Sequence, residues 1–318
     1  MNKRALYVLL GVLVAQIALA VFTWWPRNAT VEAGPLLPNL TTAQITALTV
    51  SDSDGHHVRL ARSGEGWVLP EADDYPALSE SVQEALNKLL AVTRAEVITE
   101  TAASHIRLQV TADNYVRRID LETSDGPAAT LYLGSSLSYG DSNVRLADED
   151  VVYRGTGLTP WEWGATAAGW VDTQYVNIAL DEVTAVTILN GHGECMLTRT
   201  EAGGWALAGQ AADDVLDEDA ANTLVQQAAT LRLTAPLSRT LDPAYGLDKP
   251  QATVTLRTAK GDTTVLVGAQ QPDGGYAAKS SAAEYAVEIS SYVAESLLNA
   301  SVDTLRKAPE TPTPTPAQ

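Results

Sequence analysis

The chain has 318 residues, a formal net charge of −18 and a single cysteine, Cys195. The length fits roughly two domains, and 45% apolar with 19% charged residues suits a chain that buries a core. The acidic balance argues against nucleic acid as a partner and against peripheral binding of the protein body to anionic lipid. The lone cysteine excludes an intramolecular disulfide and a cysteine zinc cluster.

The first element is a stretch without charge, Ala5 to Trp25, interrupted mainly by Gln16. As a helix its 21 residues span about 32 Å, enough for a hydrocarbon core of about 30 Å. Lys3 and Arg4 precede it, which places the C-terminal bulk on the outer side of the membrane. Tyr7 and the pair Trp24 and Trp25 suit the two interfaces, and Pro26 stops the helix. Ala18-Leu19-Ala20 has the small-x-small form of a signal-peptide cleavage site, but the apolar run continues past it to Trp25, which favours an uncleaved anchor. The expected organisation is an anchor at 1–26, a linker at 27–40, a first α+β module at 41–160, a connector at 161–182, a second module at 183–305 and a Pro/Thr tail at 306–318.

The two modules are read from a repeat. Ile45 to Leu69 aligns without a gap to Val183 to Leu207, with Gly55 on Gly193, Gly66 on Gly204 and Trp67 on Trp205. Matched Gly and Trp in one register indicate duplication. Each copy has two alternating runs about a Gly-bearing turn, which predicts a β-hairpin. An acidic stretch follows, Asp73-Asp74 and Asp213-Asp214. Helices come next, with Leu78, Val82, Leu86 and Leu89 on one face in the first copy and Leu216, Ala220, Leu224 and Ala228 in the second. Strand patterns then return at Tyr115–Leu121, Ala128–Leu133, Asn143–Leu146 and Val151–Arg154, with counterparts at Thr253–Thr258, Thr263–Val267, Tyr276–Lys279 and Glu284–Ile289. The fold class predicted is α+β: a transmembrane helix plus two tandem modules, each a mostly antiparallel sheet with one main helix.

Tyr245-Gly246-Leu247-Asp248-Lys249-Pro250, followed by Leu266-Val267-Gly268, resembles the hallmark of domain-of-unknown-function family 4340. Trp170-Val171-Asp172, Leu180-Asp181 and the Gly204-Trp205 step fit the same family, and the resemblance covers roughly residues 45–300. The first copy departs from it, with His105-Ile106-Arg107-Leu108-Gln109-Val110 in the motif's place, read as a strand-like run beginning at His105. The expected role of the motif residues Trp67, Trp205, Tyr245, Gly246, Leu247, Pro250 and Gly268 is structural. The resemblance implies an extracytoplasmic protein on an N-terminal anchor, associated with ABC-type and gliding-motility-like export systems.

The sequence offers no catalytic, cofactor-binding or metal-ligating set. His56, His57 and His192 fall at hairpin turns, and Asp52-Ser53-Asp54-Gly55 begins like a calcium loop but has Ser63 where the twelfth-position glutamate belongs. A nucleophile elbow, a P-loop and a Gly-x-Gly-x-x-Gly turn are absent. Cys195 reads as a buried small hydrophobe. The leading expectation is a non-enzymatic accessory or scaffold subunit of an envelope export complex, on the periplasmic side of the inner membrane, with an ABC permease or auxiliary subunits as partners. The rivals are a glycan- or peptide-binding module, favoured if Trp161, Trp163 and Trp170 are exposed, and a hydrolase of envelope polymer.

Overall fold

The computed structural model describes residues 34–209 and 215–307, with Leu13 and Gln16. The rest of the expected anchor, including Lys3, Arg4, Tyr7, Trp24 and Trp25, lies outside the described residues, as do Asp213, Asp214 and residues 308–318. Among the described residues no helix is long and apolar enough to cross a membrane.

Among the described residues the first half of the chain forms nine strands: β1 (Ile45–Ser51), β2 (His57–Ser63), β3 (Gly66–Leu69), β4 (Tyr75–Pro76), β5 (Val97–Thr99), β6 (Arg117–Thr123), β7 (Gly126–Ser138), β8 (Asp141–Leu146) and β9 (Val152–Thr156). They make one antiparallel sheet in the order β4-β3-β2-β1-β6-β7-β8-β9-β5. Helix α1 (Ser79–Leu90) lies in the connection between β4 and β5. The second half repeats the plan with β10 (Val183–Asn190), β11 (Gly193–Arg199), β12 (Trp205–Leu207), helix α2 (Glu218–Ala229), β13 (Ala235–Ser238), β14 (Ala252–Thr258), β15 (Gly261–Gln270), β16 (Tyr276–Ser280) and β17 (Ala286–Ile289). Among the described residues its order is β12-β11-β10-β14-β15-β16-β17-β13, the order of the first sheet from β3 to β5, and the positions aligned with β4 lie outside the described residues. Helix α3 (Ser291–Leu298) follows the last strand.

The duplication extends to irregularities. Pairing of β1 with β6 shifts register between Ile45 and Ala47, and pairing of β10 with β14 shifts between the aligned Val183 and Ala185. A bulge kept at one position in both copies is a feature of the fold. Each copy also has an arginine stacked on its tryptophan. Arg62 lies 4.8 Å from the Trp67 ring centre and Arg199 lies 4.6 Å from that of Trp205. Arg62 Nε donates to the Ile45 carbonyl and Arg199 Nε to that of the aligned Val183. A second guanidinium nitrogen reaches Thr42 in one copy and the aligned Leu180 in the other. The arginines are one position out of the gap-free alignment, because Arg62 pairs across the strands with Trp67 but Arg199 with Trp205 over a longer turn. Cross-strand geometry, rather than sequence offset, keeps the contact.

Period-two burial in β2 and β14 follows the alternation read from the sequence. The helix faces differ from expectation. Val82, Leu86 and Leu89 are fully buried, but Leu78 caps α1 and is 44% exposed. In α2 the buried set is Ala221, Leu224, Val225, Ala228 and Ala229, while Leu216 and Ala220 only flank the core. Both helices begin later than the apolar spacing suggests, so their first expected core position falls before the first turn. The described end of the linker is docked: Leu36 is buried and its N–H donates to the Val92 carbonyl at 2.7 Å.

The connector is core. Trp163 and Trp170 are fully buried and meet edge to face at 6.0 Å. Trp170 Nε1 donates to Gly164 O at 2.7 Å, and the Trp170 carbonyl accepts the Leu78 N–H that opens α1. Further on, Tyr175 and Val176 donate to the Leu231 carbonyl and Ile178 to that of Ala229, so the connector binds both halves. One hydrophobic cluster runs through the two modules and includes both connector tryptophans.

Trp205 stands between α2 and a stacked guanidinium, so Trp205→Ala is expected to cost about 3–5 kcal/mol. A denaturant midpoint equal to that of the wild type would contradict this packing.

Candidate functional site

The motif residues Tyr245, Gly246, Leu247 and Gly268 come together where a short turn meets β15. Pro243–Tyr245 is one 3-10 turn, capped by Asp242 and ended by Gly246 at φ 63°. This turn brings the Tyr245 carbonyl against Gly268 of β15, where a Cβ would lie 2.0 Å from that oxygen. Leu247 is buried beside it, and Pro250 precedes β14. The first copy has different residues but the same contact. His105–Leu108 is a single helical turn, not the strand expected, and it ends at Gln109 with φ 57°. The Leu108 carbonyl sits where a Cβ on Gly134 of β7 would lie 2.0 Å away. A left-handed residue therefore ends the turn in both copies, and a glycine receives it in both. Left-handed backbone costs a residue with a side chain about 1–2 kcal/mol, which Gly246 avoids and Gln109 does not.

The groups with the chemistry to be reactive are engaged locally. His105 is buried, and its Nε2 donates to the Asp150 carbonyl at 2.7 Å. Asp52 Oδ1 accepts the backbone N–H groups of Asp54 and His56, each at 3.0 Å, and Oδ2 meets His56 Nδ1 at 3.1 Å. Ligand atoms of Asp52, Asp54 and His56 lie within 4.8 Å of one another, a convergence that the spacing did not suggest, in a turn organised by its own hydrogen bonds. Cys195 is buried, and burial pushes its thiol up from the ordinary range. Of the connector tryptophans only Trp161 is exposed, at 58%.

The contacts that join different parts of the chain gather at the seam between the modules. The turn after β3 runs into Asp73 and Asp74, both left-handed at φ 57° and 60°. Two successive residues in this region are uncommon without glycine, and such strain collects where surrounding contacts hold it. Here Asp73 Oδ2 accepts the Arg239 N–H at 3.1 Å, the Thr240 N–H at 3.3 Å and the Ser238 hydroxyl at 3.3 Å, all just after or at the end of β13. The Asp74 carbonyl accepts the Tyr285 hydroxyl at 3.1 Å. Arg239 stacks on the Tyr285 ring at 4.8 Å and donates to its oxygen.

These bonds place three tyrosines around a cleft of about 440 Å³ that both modules line. Tyr75 meets Tyr285 edge-on at 4.8 Å. Tyr175 donates to the Tyr285 carbonyl at 2.7 Å and accepts the Ser280 N–H at 2.8 Å, and burial pushes its phenol up to about 12. Exposed Leu78 lies at the edge. The cleft's carboxylates have local duties: Asp172 accepts the Gln174 N–H at 2.9 Å, and Glu284 pairs with Arg239 at 3.7 Å. A larger hollow of about 610 Å³ lies between residues 37–46 and 123–128, without aromatic residues in its wall. The seam is the better candidate because charge, strain and aromatic surface converge there. Sequence reading took Asp73 as part of an acidic run before a helix and passed over Tyr285. Their partners are more than 160 residues away in the chain, and a single sequence carries no signal for such a contact.

Two copies of one antiparallel α+β unit, sharing a core through a buried connector, define a tandem-duplicated protein. The chain belongs to the family described as Domain of unknown function (DUF4340), whose family model matches residues 67–244. That span begins at Trp67 and stops before Tyr245, so it is narrower than the resemblance and leaves out the Tyr245–Gly268 motif. No curated protein and no solved structure matches the chain.

Gly268→Ala forces the Tyr245 carbonyl away from β15 and is expected to cost about 1–3 kcal/mol in denaturant unfolding, as is Gly134→Ala. Asp73→Ala leaves the Arg239 N–H without its acceptor, while the Thr240 N–H keeps Ser238 Oγ at 3.0 Å, and is expected to cost about 1 kcal/mol. Faster proteolysis near residues 238–240 would report the freed segment, and unchanged proteolysis would show that Asp73 does not hold it.

Proposed function

We propose that this protein is a membrane-anchored, extracytoplasmic accessory or scaffold subunit of an ABC-type envelope export complex, and that it meets a partner at the tyrosine cleft of its module seam. The observation that carries this reading is the cleft itself, built by both modules from Tyr75, Tyr175 and Tyr285 with exposed Leu78 at its edge. Tyrosine supplies a large contact area with a polar tip and few rotatable bonds, a composition suited to protein contact. The roles of the polar groups also favour a scaffold, since His105, Asp73 and Asp172 are all spent on backbone groups. The anchor belongs to the proposal too: Lys3 and Arg4 ahead of an uncharged Ala5 to Trp25 orient the modules outward. A glycan platform on the connector tryptophans has less support, because Trp163 and Trp170 are buried.

The test is a mild-detergent pull-down of the full-length protein from native membranes, with mass spectrometry. An ABC permease or ATPase is expected in the wild-type sample and is expected to fall at least tenfold, about 1.4 kcal/mol, with Leu78→Arg, whose side chain faces solvent. Recovery of this protein alone overturns the scaffold reading, and equal recovery with Leu78→Arg overturns the assignment to the cleft.

A further inference from the structure

The duplication allows each position in one module to be compared with its counterpart in the other. On β9, Arg154 pairs across the strands with Asn143. Its side chain lies between two acids, 3.3 Å from Glu96 and 3.8 Å from Asp141. In the second module Ala277 pairs with Glu288, so Glu288 of β17 holds the place of Arg154. Gly275, two residues before Ala277, stands where Asp141 stands two residues before Asn143. The Glu288 carboxyl fills the space this glycine leaves, since a Cβ at 275 would lie 1.9 Å from Glu288 Oε1. A cation between acids in one module is therefore replaced by a buried acid in the other.

The group facing Glu288 is a second acid. The turn 271–275, closed by the Gln271 N–H on the Gly275 carbonyl at 2.8 Å, brings the Asp273 carboxyl into hydrogen-bonding contact with it. The other neighbours supply no positive charge. Thr234, just before β13, donates its hydroxyl to Glu288 Oε1 at 3.4 Å, and its N–H donates to the Glu288 carbonyl at 2.8 Å. Arg232 on the same segment turns to the Thr173 hydroxyl at 2.9 Å, and Lys279 on β16 is held by the Ser280 and Ala283 carbonyls. Glu288 is only 7% exposed.

We propose that the buried Glu288 carboxyl, packed against Gly275 and faced by the Asp273 carboxyl, latches the 271–275 turn and the adjoining edge strand β13 in a pH-dependent manner. Burial first, and then the Asp273 charge, raise Glu288 to about 7 from an ordinary 4.5. A raised acid stabilises the folded state fully below its unfolded value, and that stabilisation is lost as pH rises through about 7. Above that pH the buried Glu288 carboxyl is charged with no cation beside it, and the turn opens from β17. β13 starts at this site and ends at Ser238, beside the segment that Asp73 holds, so the latch sits on the strand that carries the module seam.

The experiment compares full-length wild-type protein with Glu288→Gln in detergent micelles, by thermal unfolding and amide exchange from pH 5 to pH 8. Glutamine keeps the shape of the protonated acid without its charge. Exchange at 271–275 and 234–238, corrected for intrinsic rate, is expected to rise at least tenfold with pH in the wild type and to stay level in the variant. The wild-type melting temperature is expected to fall more steeply across this range than that of the variant. The same pH profile in both proteins overturns the proposal. Asp273→Asn, in the exposed turn, provides a second test should Glu288→Gln fold poorly. A carboxyl NMR titration of Glu288 with its midpoint in the ordinary glutamate range also overturns it.

Discussion

Burial of Trp163 and Trp170 is the constraint on which the arrangement of the two halves depends. The rings meet at 6.0 Å with essentially no exposed surface, and their backbone is tied to Arg117 of the first sheet and to the start of α1. A flexible joint would leave each module with its own small core. A connector made of core side chains instead fuses the cores into one, and apolar area removed from water at the joint opposes independent motion of the halves. The gap between Gly164 and Gly169, whose Cα atoms would each lie 3.2 Å from a Cβ on the other, lets the connector fold back tightly enough for this.

Duplication separates what the fold requires from what each copy has been free to change. The sheet order, the bulge at the first strand, the arginine on the tryptophan and the carbonyl seated on a glycine occur in both modules. The residues supplying them differ in offset or identity: Arg199 is displaced by one position, and Gln109 takes the left-handed place of Gly246. Backbone geometry has been retained where sequence has drifted. The same comparison shows where the copies diverge, at Arg154 against Glu288.

The seam draws on residues distant in sequence, with a strained pair of aspartates on one side and an arginine-backed tyrosine on the other. Asp73 receives three hydrogen bonds from a short stretch of the second module, and Tyr285 reaches back to Asp74. These bonds hold the aspartates in left-handed backbone, and the resulting chain direction carries Tyr75 over Tyr285. The cleft is thus a consequence of joining two units, and neither module has its wall alone.

From the sequence by itself the repeat, the antiparallel hairpins and the α+β class were legible. Each rests on a local period or a local turn: alternation in β1, β2, β10 and β11, and glycines where the chain must turn or receive a carbonyl. The tertiary structure alone decided the helical turn at His105–Leu108, the exposure of Leu78, the burial of the connector tryptophans and the seam between Asp73 and Ser238 to Thr240. Those features depend on which surface a residue meets after the chain has closed on itself. Periodicity reports which face of an element is apolar, but it holds no information about a partner more than 160 residues away.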